Sequence, residues 1–207
     1  MLRTAEQLFA ARGVDAVSLR EIAEAAGQRN HSAALYHFGD KRQLVESLLH
    51  RHSGPIDDAL LRDVRSLEAS GNESLESLVR LMVTPLVAKL DDADGGPEYL
   101  QVCAELVSSR SFPITGLDAA NGPGSIELRA RLLVHMHAIS PAMLPLRMLR
   151  TAAVLFCSIA AYLRLREAGL HVARRDFQED LVDSICAMFG AKTRRTEPGR
   201  AKRPRPR

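Results

Sequence analysis

Tryptophan is missing from this chain, and aromatic residues make up only 4% of its 207 positions. With so little of what builds sheets, and with much Ala, Leu and Arg, the composition points to helices. Cysteine is scarce too. Cys103, Cys157 and Cys186 are odd in number, widely spaced and set among apolar residues. That fits neither a disulfide framework nor zinc-ligand spacing and leaves reduced thiols, with a redox sensor as the alternative. No stretch approaches the roughly 20 uncharged apolar residues of a bilayer span, and the N-terminus lacks the order of a signal peptide. A cytoplasmic protein with no membrane partner is the expectation.

The signatures of catalysis are missing as well. There is no phosphate-cradling glycine loop, no His-Glu-x-x-His and no nucleophile elbow. No catalytic residue and no cofactor are therefore expected. The acid pairs Asp57-Asp58 and Asp91-Asp92 fall at helix starts or in loops, where solvated capping accounts for them. His135 and His137, two apart, would not share a helical face, and His171 has no partnered carboxylate, so no metal site is expected.

What is present is 46% hydrophobic and 26% charged residues, ordinary for a globular protein. The net charge of +3 is unevenly spread. Residues 192–207 hold eight Lys/Arg and one acid, a balance of +7. Residues 1–52 hold seven bases and six acids, leaving the middle at −5. The basic character thus belongs to the tail, where Arg, Lys, Pro and Gly cannot build a core and disorder is expected.

The first 52 residues read as four short helices. Leu2, Ala5, Leu8 and Phe9 recur at helical spacing up to Gly13. Ser18-Leu-Arg-Glu21 is a capping box opening a second helix, with Leu19, Ile22, Ala23 and Ala26 as its buried stripe and Gly27 as its end. A polar turn leads to a short third helix ending near Gly39, and Asp40-Lys-Arg-Gln43 caps a fourth with the apolar face Leu44, Val45, Leu48 and Leu49. Beyond Gly54-Pro55, helices are predicted over about 56–70, 74–91, 97–110, 124–138, 145–168 and 174–189, with a kink at Pro85. Ser111 to Gly124 reads as a mobile loop. A tri-helical core of Phe9, Val14, Val17, Leu19, Ile22, Ala23, Ala26, Leu35 and Phe38 would let one short helix project into a DNA groove.

The wording of this segment is more specific than its pattern. Ala5-Glu-Gln-Leu-Phe9, Ser18-Leu-Arg-Glu-Ile-Ala-Glu-Ala-Ala-Gly27 and Leu35-Tyr-His-Phe-Gly-Asp-Lys41 with Leu44 resemble the TetR family of regulators over about the first 50 residues. The spacing from Gly27 to Tyr36 is about two residues longer than usual, as in the subset with a Gln-Arg-Asn-x-Ser turn. The chain also starts almost at its first helix, where family members commonly carry a few more basic residues.

The resemblance implies an all-α fold: a helix-turn-helix DNA-binding domain over 1–50, a helical effector-binding and dimerisation domain over 51–191, and the basic tail over 192–207. It implies a ligand-responsive repressor that binds a palindromic operator in double-stranded DNA and is released by a small apolar or amphipathic effector. Asn30, His31 and Ser32 would precede or cap the recognition helix, and Arg29 would pair with guanine or phosphate. Tyr36 and His37 match positions that contact the DNA backbone or bases, Lys41 matches a phosphate-contacting lysine, and Ser18 would present a helix N-terminus to a flanking phosphate. The homodimer would form through helices 145–168 and 174–189, along the stripes Ala152, Leu155, Phe156, Ile159, Ala160, Tyr162, Leu163 and Phe177, Leu181, Ile185, Met188, Phe189. The alternative is that these stripes close the monomer's own core. An effector pocket would lie near Pro85, lined by Met82, Leu86, Tyr99, Cys103, Leu106, Phe112 and Met136. Two rival readings are a helical interaction module without operator selectivity, and nucleic-acid binding by the basic tail alone.

Overall fold

The structure is a computed structural model that describes residues 1–28, 38–112, 122–137 and 139–192. Among these residues every regular element is helical. The helices are α1 (Leu2–Arg12), α2 (Leu19–Ala25), α3 (Lys41–Ser70), α4 (Leu75–Ala88), α5 (Gly96–Ser108), α6 (Pro123–His135), α7 (Leu144–Glu167) and α8 (Arg174–Gly190), with short 3-10 turns at Lys89–Asp91 and Pro141–Met143.

Local chemistry sets most of the ends. Ser18 and Glu21 close a reciprocal capping box on α2, and Ser74 and Ser77 do the same on α4. The Asp40 side chain accepts from the Gln43 amide at 2.8 Å to start α3. Gly13, at φ 88, closes α1 in a conformation that a Cβ would penalise.

The predicted break at Gly54-Pro55 is not made. Helix α3 runs without interruption from Lys41 to Ser70 with Pro55 inside it. Proline removes one ladder donor, at a cost of roughly 3 kcal/mol. Leu48, Leu49 and His52 before it and Leu60 and Val64 after it are buried in one core, and that shared burial keeps the rod continuous. The other helices match their predicted ranges to within about three residues.

The core is continuous from the first turns to the last. Phe9, Val14, Val17 and Ile22 join Leu44 and Leu48, then Val83, Leu100, Leu106, Ile159, Ile185 and Phe189. Leu19 and Phe38 are only partly buried at its edge, and Leu35 lies outside the described residues. Helix α3 packs along α6, α5 along α7, and α4 along α8, while α1 lies on α5.

One assignment changes. Leu155, Ile159, Tyr162 and Leu163 of α7 and Leu181, Ile185 and Phe189 of α8, expected to meet a second copy, are buried within the monomer. Their wide apolar stripes face α4, α5 and each other, and Tyr162 and Phe177 stack at 4.2 Å between ring centroids. The stretch Pro141–Glu167 is long and apolar enough by composition to cross a bilayer, at mean hydropathy 1.5; in this fold its apolar side packs on neighbouring helices.

Candidate nucleic-acid interface and effector cavity

The expected DNA contacts Arg29, Asn30, His31, Ser32, Tyr36 and His37 lie outside the described residues. The structure does place the two that flank them. Ser18 is exposed at the N-terminus of α2, its hydroxyl 2.8 Å from Glu21 Oε2 while it accepts from the Glu21 amide at 3.2 Å. The Ser18 amide and hydroxyl, with Arg12 at 2.9 Å, hold the Glu21 carboxyl down to about 2. Lys41, in the first turn of α3, donates from Nζ to the Asp15 carbonyl at 3.2 Å and sits 5.9 Å from the Phe112 ring centroid. Its ammonium is thus folded back over the α1–α2 loop in this structure.

The head, comprising α1, α2 and the start of α3, is fastened to the rest by a buried carboxylate. Glu6 has no exposed surface. Its oxygens accept from Arg51 Nη1 at 2.8 and 2.9 Å, and Oε1 lies 2.9 Å from His52 Nε2. Burial pushes its pKa up, but the hydrogen bonds from His52 and Arg51 pull harder, and the net shift is below the ordinary 4.5. Arg3 bridges Glu6 at 3.3 Å and Glu98 at 2.7 Å, and Arg51 also pairs with Asp94. No sequence signal set Glu6 apart from a solvated helix acid; only the packing of α1 on α3 and α5 does.

Helix α5 holds α1 at both ends. Near its start Glu98 takes Arg3, and near its end Glu105 Oε1 accepts the Val14 amide at 2.7 Å. Burial raises the pKa of Glu105 against the pull of that amide. Glu98 and Glu105 are seven apart and share one face, whereas Tyr99 and Cys103, four apart, share another.

That second face lines a half-open cavity of about 480 Å³ bordered by α3, α4, α5, α6 and α7. Met82, Leu86, Tyr99 and Cys103, named from sequence, are on its wall. Leu106, Phe112 and Met136 are not: Leu106 and Met136 are spent in the fully buried core, and Phe112 lies half-buried beneath Lys41. Sequence reading missed most of the wall, including Leu49, Ile56 and Leu60 of α3, Leu128 and Leu132 of α6, and Met148 and Leu155 of α7. Their three- and four-residue spacing was the available signal, but core residues share that spacing.

The cavity's acid is Asp57, whose expected role as a solvated helix-start residue is overturned. It is buried in mid-α3 and caps a different helix. Oδ2 accepts from the Gly124 amide at 2.9 Å, and Oδ1 from the Ser125 amide and hydroxyl, each at 2.7 Å. The first turn of α6 thereby rests on the backbone of α3, and Gly124 makes room, since a Cβ there would meet the Asp57 carbonyl and come within 2.8 Å of the Leu61 amide. Among the described residues no cluster of His, Cys, Asp and Glu could hold a metal ion.

Residues 1–48 match the family described as bacterial regulatory proteins, tetR family. Over that segment the chain is similar to the head of tetR-family regulatory proteins. The chain is also similar to the HTH-type transcriptional repressor KstR2 of Rhodococcus jostii (strain RHA1), 40% identical over 85 residues. That alignment covers 41% of this chain and 39% of KstR2, so the chain spans well under half the length of that relative. The fold as a whole is similar to a TetR family transcription regulator from Marinobacter aquaeolei VT8, with TM-score 0.61, 20% identity, and 90% of this chain and 92% of the other covered. A TetR-family structure from Rhodococcus sp. gives TM-score 0.50 at 20% identity over 91% and 96% of the two chains. At these identities they establish the all-α TetR fold, with its helix-turn-helix head and helical body.

Proposed function

We propose that the chain is a cytoplasmic transcriptional repressor that binds a palindromic operator as a homodimer and leaves it when a small apolar or amphipathic effector enters the cavity. The observation that carries this reading is the double duty of α5, whose Tyr99 and Cys103 line the cavity while Glu98 and Glu105 hold the two ends of α1. His52 connects them, its ring stacked 4.7 Å from that of Tyr99 and its Nε2 on Glu6. A ligand that fits only one position of Tyr99 therefore also selects one position of the head, which is the differential affinity that release requires.

In this reading Arg29, Asn30, His31, Ser32, Tyr36 and His37 meet bases and phosphates, Ser18 offers a helix N-terminus, and Lys41 swings from the Asp15 carbonyl to a phosphate. Repression follows the similarity to KstR2, which is named a repressor.

The dimer forms through the outward faces of α7 and α8 rather than their apolar stripes. Along α7 the exposed residues include Arg150, Cys157 and Arg164, with Ala153 and Ala161 half-buried between them, and along α8 they include Asp176, Asp180, Asp183 and Ala187. Small side chains permit close approach, and the opposite charges suit pairing of α7 with a partner's α8 across a twofold axis. Two heads so arranged match a palindrome with half-sites about one helical turn apart.

Selection from random duplex DNA with the purified chain tests the function. A palindromic winner, lost on Tyr36→Ala and kept after deletion of 192–207, is the expected result. An absence of enrichment, or binding that disappears with the tail, would overturn it.

A further inference from the structure

Most polar side chains on the cavity wall are already spent. Asp57 gives one oxygen to the Gly124 amide and the other to the Ser125 amide and hydroxyl. Arg129, the other ionic residue of the wall, is engaged as well. The Thr151 hydroxyl bonds back to the Arg147 carbonyl at 2.9 Å, and the Tyr99 phenol and Cys103 thiol bond to each other. An ionised ligand inside the cavity would find a countercharge only by breaking into the set around Asp57 or the one around Arg129, stranding a former partner. Held at the half-open mouth, its charge would stay in water and gain nothing from the wall.

Two groups on the wall have hydrogen-bonding capacity to spare, and both are uncharged. One is the Ser53 hydroxyl. Ser47, earlier in the same helix, returns its hydroxyl to the Gln43 carbonyl at 2.8 Å. Ser53 makes no hydrogen bond among the described residues, and it lines the cavity one turn before Asp57. The other group is created by Pro85, inside α4. Proline has no amide hydrogen, so the Leu81 carbonyl, four residues earlier, lacks its ladder donor. Leu81 and Pro85 both line the cavity, which puts this turn of α4 on the wall. A hydroxyl can donate or accept, whereas a carbonyl only accepts. The ligand function that serves both groups is therefore neutral and carries a donor of its own.

We infer that the effector is an uncharged amphipath bearing a hydroxyl group, which donates to the Leu81 carbonyl freed by Pro85 and accepts from Ser53. Its apolar body lies along the Leu, Ile, Met and Phe side chains that make up most of the wall. The assignment rests on the effector-released reading above and adds the charge state, the polar function and the groups that select it. It also gives the proline of α4 a purpose beyond bending the helix, since an unbroken ladder would leave no acceptor there.

Calorimetric titration of the DNA-free, full-length chain tests it with four probes: 1-decanol, its isomer 1-methoxynonane, decanoate and decylamine. The alcohol should bind about fivefold more tightly than the ether, which has an oxygen but no donor, and at least about tenfold more tightly than either ionised probe. Pro85→Ala hands the Leu81 carbonyl an amide again and should bring the alcohol down to the level of the ether, with the ether itself kept within about twofold. Ser53→Ala leaves the α4 ladder untouched and should weaken alcohol and ether together by about threefold, because either oxygen can accept from Ser53. An ether or an ionised probe that binds as tightly as the alcohol would overturn the inference. So would an alcohol preference kept in Pro85→Ala, alcohol binding unchanged in Ser53→Ala, or no binding by any probe. Hydroxyl-selective binding that leaves the selected operator complex intact would uphold the ligand assignment and sink the release reading.

Discussion

Replacing Glu6 by Gln is the most direct probe of how the head is held. The amide keeps the shape and the acceptor oxygen but removes the negative charge that Arg51, His52 and Arg3 share. Removing one partner of a buried ionic cluster costs roughly 3–5 kcal/mol when the rest stays dry. Here the Arg51 and Arg3 side chains are 27% and 35% exposed and keep Asp94 and Glu98, so about 2–4 kcal/mol is the better figure. For a chain of this length that lowers Tm by about 5–12 °C. The pH dependence carries the sign. Because the folded pKa of Glu6 lies below its ordinary 4.5, its stabilisation is complete above that value and is lost as pH falls through the folded one. The Tm gap between wild type and Glu6→Gln should therefore be full at neutral pH and shrink in acid, as followed by circular dichroism on both proteins in parallel. The other carboxylates titrate in both and cancel. A gap absent at neutral pH, or unchanged down to strong acid, would refute the reasoning.

Gly124→Ala should destabilise by about 1–3 kcal/mol, because the atoms in its way are backbone; Gly190→Ala, with open space around it, should be neutral or gain up to about 1 kcal/mol, and paired thermal melts compare the two. Iodoacetamide labelling read by mass spectrometry should modify exposed Cys157 first and Cys103 last, since Cys103 is buried with its thiol raised to about 12. Lys41→Ala should weaken operator binding and reduce the slope of log affinity against log salt by about 1, whereas an unchanged slope would leave Lys41 in its contact with Asp15. Ala187→Arg, which sets a bulky cation on the acidic face of α8 opposite the arginines of a partner's α7 without touching the core, should shift sedimentation from dimer to monomer.

Much of the fold could be read from periodicity and punctuation. Serine and aspartate caps and the glycines at helix ends placed most boundaries, and the first 50 residues carried enough specific wording to suggest their role. Three failures share a cause. The break at Pro55, the solvated Asp57 and the dimer-facing stripes were all inferred from local sequence, and all were decided by what lies across the core. Pro55 is carried by burial on either side, Asp57 caps a helix 67 residues away, and the apolar faces of α7 and α8 close on α4 and α5. Periodicity shows that a face is buried but not against what. The cavity follows the same rule: Tyr99 and Cys103 flank an opening and Leu106 fills a core from the same helix, and only three-dimensional packing tells them apart.

The uninterrupted rod from Lys41 to Ser70 bears on how such proteins can be recombined. A graft cut at residue 50 would sever a helix in mid-course and strand Glu6 from Arg51 and His52, the first two residues beyond the scar. Donor heads can be exchanged only if they bring a matching carboxylate and recipient bodies keep the two bases, together with acids at the positions of Glu98 and Glu105. Compatibility between any two halves is then a short five-letter lock, and a library of chimaeras sorted on those positions alone should separate folded products from misfolded ones.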